Sequence, residues 1–504
     1  MSDPNPLDSQ DKSADADLVG ERTRRGISWN LLGALFTNGM RVVVIAVLGR
    51  ALDSTDFGIV AAAISVNAIL YAIRDVGVGQ ALIQRKELLP GHQRTGFAVS
   101  VYLGLGFSLL LLLGAPAIGD LYGIPESVDV IRVLGVLFTI RGLSATSRML
   151  CQREMRFRTI AIIDAASFLV GSILSMVLAV LGAGPWALVA GYLAEELILS
   201  GLYLYINPPL VSLRIEPARL RELMSFGGGQ TVAQIAGILA TYGDNFVVGN
   251  MLGARALGFY TRAYDLIKFP STVFASIVGS VLFPAFSRLQ DDRERLALGF
   301  RRALFTNALV LLPASALLFV LAPEVIRVLL GVGWDEAVLP FRLLTVTMLM
   351  RTTQKLGGLV ASAAGAINGV ALAYTGYMVL VIAGAAISIQ WGIAGVAVST
   401  GIAITLVSIA CIYLTMRVST LTIGAVLAAH GPGLVLAAVT AAIAWPLATA
   451  LRGTLGTAGV LAVTMLATVI ACLIGVAMLL RAGRGDSAWL KSELLRLRGR
   501  RAKR

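Results

Sequence analysis

The sequence predicts an all-α, polytopic membrane protein with about 14 spanning helices, and three observations carry that reading. First, apolar residues make up 57% of the 504 and charged residues only 14%, against about 25% charged in ordinary soluble proteins. Mean hydropathy is +0.81, more apolar surface than a soluble fold of this length can hide. Second, long apolar stretches recur about every 33 residues, each near the ~20 residues that a spanning helix needs. They are continuous runs, not the ten-residue alternations of a membrane barrel. Third, the cations between the stretches are distributed very unevenly.

Residues 1–25 carry Asp3, Asp8, Asp11, Asp15, Asp17 and Glu21 and no apolar run, which predicts a disordered cytoplasmic tail. The stretches then fall near 27–49, 57–80, 95–118, 127–148, 158–181, 184–206, 220–250, 257–287, 299–322, 338–363, 368–389, 392–416, 431–450 and 457–480. The first has no short core ending in a small-residue cleavage site, so it reads as an anchor that stays. With the N-terminus inside, the inward segments hold 29 Lys and Arg and the outward ones four, namely Arg50, Arg255, Arg327 and Arg452. That asymmetry predicts cytoplasmic termini and an even helix count. It also accounts for the net charge of +13 without nucleic acid. The tail at 483–504, with Arg496, Arg498, Arg500, Arg501, Lys503 and Arg504, reads as a cytoplasmic patch facing anionic lipid. All loops are short, which leaves the activity inside the helical bundle.

An internal repeat organises the chain. Residues 49–58 read GRALDSTDFG and 249–258 read GNMLGARALG, so Gly49, Leu52 and Gly58 recur at an offset of 200 as Gly249, Leu252 and Gly258. Val78-Gly79 and Leu82 match Val278-Gly279 and Leu282 at the same offset. The repeat pairs the first hairpin with that of stretches seven and eight. Six helices per half is an even number, so the halves enter from one side and the repeat is parallel, a transporter architecture with a cavity between lobes. The expected division is an N-lobe at 26–212, a C-lobe at 213–418 and an extra helix pair at 419–482.

Two blocks carry a family resemblance. WNLLGALF…RALDSTDFGIVAAA…RDVGVGQALIQRKEL (29–88) and DNFVVGNMLGARALGFYTRAYDLIKFP…VLFPAFSRLQDD (244–292) resemble the polysaccharide-transport family of the multidrug/oligosaccharidyl-lipid/polysaccharide exporter superfamily. That family includes the Wzx-type lipid-linked oligosaccharide flippases, with the lipid II flippase and the MATE antiporters as more distant relatives. The resemblance implies a non-enzymatic flippase of a bacterial inner membrane, working by alternating access in exopolysaccharide, capsule or O-antigen (lipopolysaccharide) synthesis. It implies a polyprenyl-pyrophosphate-linked oligosaccharide as substrate and membrane lipid as partner, with a polysaccharide polymerase and export machinery beside it. It also suggests that stretches thirteen and fourteen guide the lipid tail.

Ionisable groups inside spans cost from about 2.5 kcal/mol each upward, so each requires a reason. Arg74, Asp75, Arg132, Asp164, Asp244 and Arg342 lie near stretch ends and can reach an interface. Arg41, Arg141, Glu195, Glu196, Asp265, Lys268 and Arg351 sit near mid-depth. Arg262, Asp265 and Lys268 are spaced three apart, so Asp265 can bridge both cations, and Pro270 follows to kink the helix. Arg351 and Lys355 share one helix face with no acid within four residues. Arg41 is similarly alone. Guanidinium forks match phosphate oxygens in bidentate fashion. One reading has Arg41, Arg74, Arg262, Lys268, Arg351 and Lys355 lining a wet cationic cavity that takes the diphosphate and sugars. The other pairs these cations with Asp75, Asp244, Asp265, Glu195 and Glu196 as packing contacts. Asp244 reads as a coupling or lobe-contact carboxylate, or as a helix cap.

Other chemistry finds no footing. Cys151, Cys411 and Cys472 are far apart in sequence and offer no metal-ligand spacing. Neither His92 nor His430 has a metal-ligand neighbour, and no GxxxxGK[ST] phosphate loop occurs. The expected cofactor and metal content is none. Two alternatives stand beside the flippase: a MATE-like cation or drug antiporter, and a membrane enzyme acting on lipid-linked sugars. An antiporter site should be acidic and aromatic, whereas the mid-depth charges here lean cationic.

Overall fold

A computed structural model describes residues 37–74, 82, 88–224, 228–287, 292–483, 485–492 and 495, with the backbone alone at 223–224, 228–231, 269 and 272–287. The expected tail at 1–25, Asp75 and residues 496–504 lie outside the described residues. Among the described residues every regular element is a helix.

The elements follow the apolar stretches closely. α1 is described over 37–51, followed by α2 (Ser54–Arg74), α3 (Pro90–Tyr122), α4 (Ser127–Gly135), α5 (Leu137–Arg153), α6 (Phe157–Val180), α7 (Pro185–Ile206) and α8 (Pro217–Met224). Then come α9 (Gly228–Ser287), α10 (Arg293–Val320), α11 (Ala322–Leu329), α12 (Val338–Thr345), α13 (Met348–Ala363), α14 (Ile367–Ser388), α15 (Gly392–Val418), α16 (Ile423–Leu451) and α17 (Thr457–Ala482). Eight segments, α14 and α15 counting together, are individually long and apolar enough to cross a membrane. The chain is a multi-pass, all-helical membrane protein.

Three stretches differ from the sequence reading, each for a local reason. The fourth breaks at Val136, where the Ser108 hydroxyl of α3 donates to Gly135 O at 2.8 Å and accepts from Thr139 N at 3.2 Å. A side chain inserted into the ladder ends α4 and starts α5. The tenth breaks at Val346–Thr347, where Thr345 and Thr347 turn their hydroxyls onto the carbonyls of Arg342 (2.6 Å) and Leu344 (2.7 Å). The seventh starts late, because Pro217–Met224 forms its own short helix. Stretches seven and eight are helical throughout α9 except at Gly253, whose φ of 79° and ψ of −179° suit glycine alone.

The described residues gather into two compact units. One comprises those of Met1–Val44, Val66–Leu121 and Pro125–Thr231; the other comprises those of Ile45–Ser65, Tyr122–Ile124 and Val232–Arg504. In the first, α6 and α7 cross so closely that a Cβ on Gly171 would stand 2.6 Å from Gly191 O, the small-residue contact by which helices associate in lipid. Its α8 is fastened to the start of α3. His92, 2% exposed, accepts from Leu89 N at Nδ1 (3.2 Å) and meets Glu222 Oε2 through Nε2 at 2.9 Å. Tyr102 adds a bond to Leu213 O at 3.0 Å.

In the second unit, Tyr377, Val381, Ile404, Val407 and Cys411 of α14 and α15 form a buried apolar core. Asp292 caps α10 by accepting from Arg295 N at 3.0 Å. Two further ion pairs tie elements together. Arg301 meets Asp486 at 2.7 Å, and Arg452 meets Glu324 at 2.8 Å. All three cysteines are free thiols.

Candidate functional site

The charged residues singled out in the sequence separate by unit, and a tyrosine organises each group. In the second unit, α9 after Gly253 carries Arg262, Tyr264, Asp265 and Lys268 within two turns. Asp265 bridges both cations, at 2.8 Å from Arg262 Nη2 and 3.2 Å from Lys268 Nζ, as the spacing required. The Tyr264 ring then gathers a second cation from α13. Arg351 Cζ lies 4.1 Å from the ring centroid and Lys268 Nζ 4.4 Å, while Arg351 Nη1 donates to the Tyr264 hydroxyl at 2.6 Å. Lys355, one turn beyond Arg351, is exposed. Arg262 lies 4.5 Å over the Phe57 ring. Two cations therefore flank a single partly exposed carboxylate, and a third shares the Tyr264 ring with Lys268.

Arg351 is held by an aromatic ring and its hydroxyl. Among the described residues no carboxylate pairs with it, and its Nε is buried without a hydrogen-bond partner. Cation–π contact and one phenol hydroxyl hold the guanidinium in place without cancelling its charge. A buried donor left open costs about 1–3 kcal/mol.

Asp244 departs from the interfacial and capping readings. It is fully buried within α9, accepts from the Tyr260 hydroxyl at 2.6 Å and lies 3.3 Å from the Thr400 hydroxyl. Tyr260 lies one turn before Tyr264, and their rings are 5.9 Å apart. Three hydrogen bonds, including Asn245 N at 2.9 Å, replace the water that a carboxylate needs.

The first unit builds a related arrangement around Tyr71 of α2. Arg141 lies 4.3 Å and Arg74 5.9 Å from that ring, and Phe138 stacks on it at 4.1 Å. Here the charge is cancelled, because Arg141 Nε donates to Glu196 of α7, and Ser200 supports the same carboxylate. Glu196 is thus already occupied. Arg41 is exposed on α1 with its guanidinium 5.6 Å over Phe168. Glu195 is half-buried, and among the described residues no hydrogen bond or ion pair holds it. The proposed partner Asp75 lies outside the described residues.

The sequence held a sign of this pairing that hydropathy masks. Arg132-x-Leu134-x-Val136-x4-Arg141 recurs as Arg342-x-Leu344-x-Val346-x4-Arg351, offset by 210. Both copies break at the valine and bring the second arginine onto a tyrosine. The offset grows from 200 to 210 across the stretch in which the second copy holds α11. Tyr71, Tyr260, Tyr264 and Thr400 carry no distinct signal in the sequence, since aromatic and hydroxyl residues in apolar runs look like packing. Among the described residues no cluster of His, Cys, Asp or Glu is placed to hold a metal ion.

Known proteins resemble this chain in sequence and in fold. Residues 47–339 match the family described as polysaccharide biosynthesis protein. The chain is 27% identical over 334 residues to the lipopolysaccharide biosynthesis protein WzxC of Escherichia coli strain K12, covering 66% of this chain and 68% of that one. It is 30% identical over 319 residues to the succinoglycan biosynthesis transport protein ExoT of Rhizobium meliloti strain 1021, covering 62% of this chain and 63% of that one, which is less than two thirds of that relative. Among solved structures it superposes on the lipid II flippase MurJ in an inward closed conformation with a TM-score of 0.74, at 15% identity, covering 90% of this chain and 98% of that one. That likeness establishes the fold.

Proposed function

Because this chain belongs to the polysaccharide biosynthesis protein family, we propose that it carries a polyprenyl-diphosphate-linked oligosaccharide from the cytoplasmic to the outer leaflet of a bacterial inner membrane. The names of WzxC and ExoT support the class of substrate. The observation that carries the mechanism is Arg351, held on Tyr264 without a carboxylate and grouped with Lys268, Arg262 and Lys355. A diphosphate supplies the oxygens that this cluster lacks, in the bidentate geometry that guanidinium groups prefer. Arg41 and Arg74 of the first unit are proposed as further substrate-binding cations. The glycan stays hydrated while the isoprenoid remains in lipid, and differential binding between inward- and outward-open states drives alternating access.

The 29-to-4 distribution of cations supports cytoplasmic termini. The proposed activity is transport, with no bond made or broken. Asp244 would be the natural centre of the alternative, a cation antiporter, since it is the buried carboxylate beside Tyr260 and Thr400.

The test replaces Arg351 and Arg41 singly by glutamine in the producing bacterium, with protein abundance tracked. The proposal expects surface glycan to fall at least about tenfold in Arg351→Gln, the effect of losing 1.4 kcal/mol of binding. Full glycan export in both variants would overturn it.

A further inference from the structure

The offset of 210 that aligns Arg141 with Arg351 also aligns Ser144 with Gln354. Each lies three residues after its arginine, so each shares that arginine's helix face, with Cβ atoms about 5–6 Å apart. In the first unit the position is closed. Ser144 Oγ and Ser200 Oγ of α7 are hydrogen-bonded at 2.8 Å, and Ser200 in turn donates to Glu196 at 3.4 Å. In the second unit the position is open. Gln354 is only 7% exposed, and its amide oxygen is buried without a hydrogen-bond partner among the described residues. Native proteins satisfy most buried polar atoms, so an exception calls for a reason.

Helix packing does not supply that reason. On α13 the neighbours of Gln354 do find partners: Thr352 donates to Asn307 Oδ1 of α10 at 2.7 Å, and Asn307 Nδ2 donates to Thr353 Oγ1 at 3.0 Å. α15 is fastened to the same helix by Ser408, which donates to Met350 O, and by Thr415, which donates to Gly357 O at 3.2 Å. The hydrogen bonds that join α13 to α10 and α15 pass Gln354 over. One turn past it the face carries Gly358, where the nearest atom to an added Cβ is the Tyr374 hydroxyl oxygen at 3.4 Å. Arg351, Gln354, Lys355 and Gly358 thus form one stripe, with two cations, an amide and a small residue beside a phenol hydroxyl.

We infer that Gln354 reads the sugar that is joined directly to the diphosphate. This rests on the flippase reading, which brings phosphate oxygens to Arg351. In a polyprenyl-diphosphate glycan the first sugar is esterified through its anomeric oxygen, so its ring adjoins the group that Arg351 takes. An amide one helical turn from that arginine stands within the reach of one sugar ring. Its oxygen accepts from a sugar hydroxyl, and its NH2 group donates to a neighbouring hydroxyl oxygen, a match for two adjacent hydroxyls. The cations of the stripe cannot do this, since guanidinium and ammonium groups only donate. A buried group that is satisfied only when the hydroxyl arrives discriminates against ligands that lack it.

The test measures binding of three probes to the full-length purified protein: a polyprenyl diphosphate, and the same lipid carrying a single glucose or a single galactose. The native protein should bind at least one sugar-bearing probe about tenfold more tightly than the bare diphosphate. Gln354→Met keeps length and volume and removes both hydrogen-bonding groups. It should abolish that gain, leave affinity for the bare diphosphate unchanged, and leave Tm no lower, because it replaces an unpartnered buried amide. Ser144→Ala, at the equivalent position of the first unit, should preserve the gain. Full gain in Gln354→Met would overturn the assignment, as would loss of the gain in Ser144→Ala. A lower Tm in Gln354→Met with equal weakening of all three probes would mark the amide as a packing group and overturn it too. Native protein that binds the bare diphosphate and gains nothing from either sugar defeats this inference alone. Native protein that binds none of the three defeats the flippase reading on which it rests.

Discussion

Arg141 and Arg351 occupy equivalent places 210 residues apart, each stacked on a tyrosine of its own unit, yet among the described residues only Arg141 meets a carboxylate. One copy of the repeat has become a closed ion pair. The other has kept its charge available. A duplicated scaffold thus supplies, from the same local sequence, one arginine paired with a carboxylate and one held by a tyrosine.

The first prediction concerns the closed half. Glu196 is buried and Arg141 is partly exposed. Glu196→Gln keeps a hydrogen bond to the guanidinium but removes the compensating charge. We expect a loss of about 1–3 kcal/mol, read as a lower Tm in detergent, with export falling only as far as abundance falls. Export lost at full abundance would place Glu196 in the transport step instead.

The second prediction concerns Asp244. Asp244→Asn retains an acceptor for the Tyr260 hydroxyl, whereas Asp244→Ala leaves that buried hydroxyl and Thr400 with fewer partners. The alanine variant should unfold at a clearly lower temperature, by about 1–3 kcal/mol, and the asparagine variant should fall between it and the unmodified protein. Equal Tm for all three would contradict the hydrogen-bonding role.

The third prediction uses the asymmetry of the ion pair between Glu324 and Arg452. Glu324 is 5% exposed, while the side chain of Arg452 is 37% exposed. Arg452→Ala strands a buried carboxylate; Glu324→Ala leaves a cation that can turn to water. The first should cost more, about 3 kcal/mol against about 1 kcal/mol, measured by thermal unfolding of each single variant. A reversed order would show that Glu324 is wet.

The fourth prediction addresses Tyr264. Tyr264→Phe keeps the ring over which Arg351 and Lys268 lie and removes only the hydroxyl; Tyr264→Leu removes both contacts. Export should drop modestly in the first and about tenfold in the second, at equal abundance. Equal export in both would dissociate the tyrosine from the cation cluster.

Much of the architecture was legible because lipid imposes a strong rule. Uninterrupted apolar runs must be helices, and all 14 stretches fall largely on helical backbone wherever they are described. The i,i+3 spacing of Arg262, Asp265 and Lys268 also translated directly into contacts. Breaks at Val136 and Val346 were not legible, since Ser108 and Thr347 act through hydroxyls that barely change hydropathy. Long-range partners were hidden for a similar reason. Nothing in the sequence near Arg141 or Arg351 announces Glu196 or Tyr264, and the tyrosines read as ordinary apolar filling. The repeat was half visible: the offset of 200 was evident, but the facing of Gly58 with Ala254 and of Gly258 with Ser54 needed three dimensions.

The most direct measurement is the affinity of the purified protein for a polyprenyl diphosphate, set against the matching polyprenol, for the native chain and for Arg351→Gln. The account predicts that the native protein prefers the diphosphate, that rising salt weakens this preference, and that Arg351→Gln reduces it at least about tenfold while leaving polyprenol binding unchanged. Equal binding of diphosphate by both proteins would contradict it.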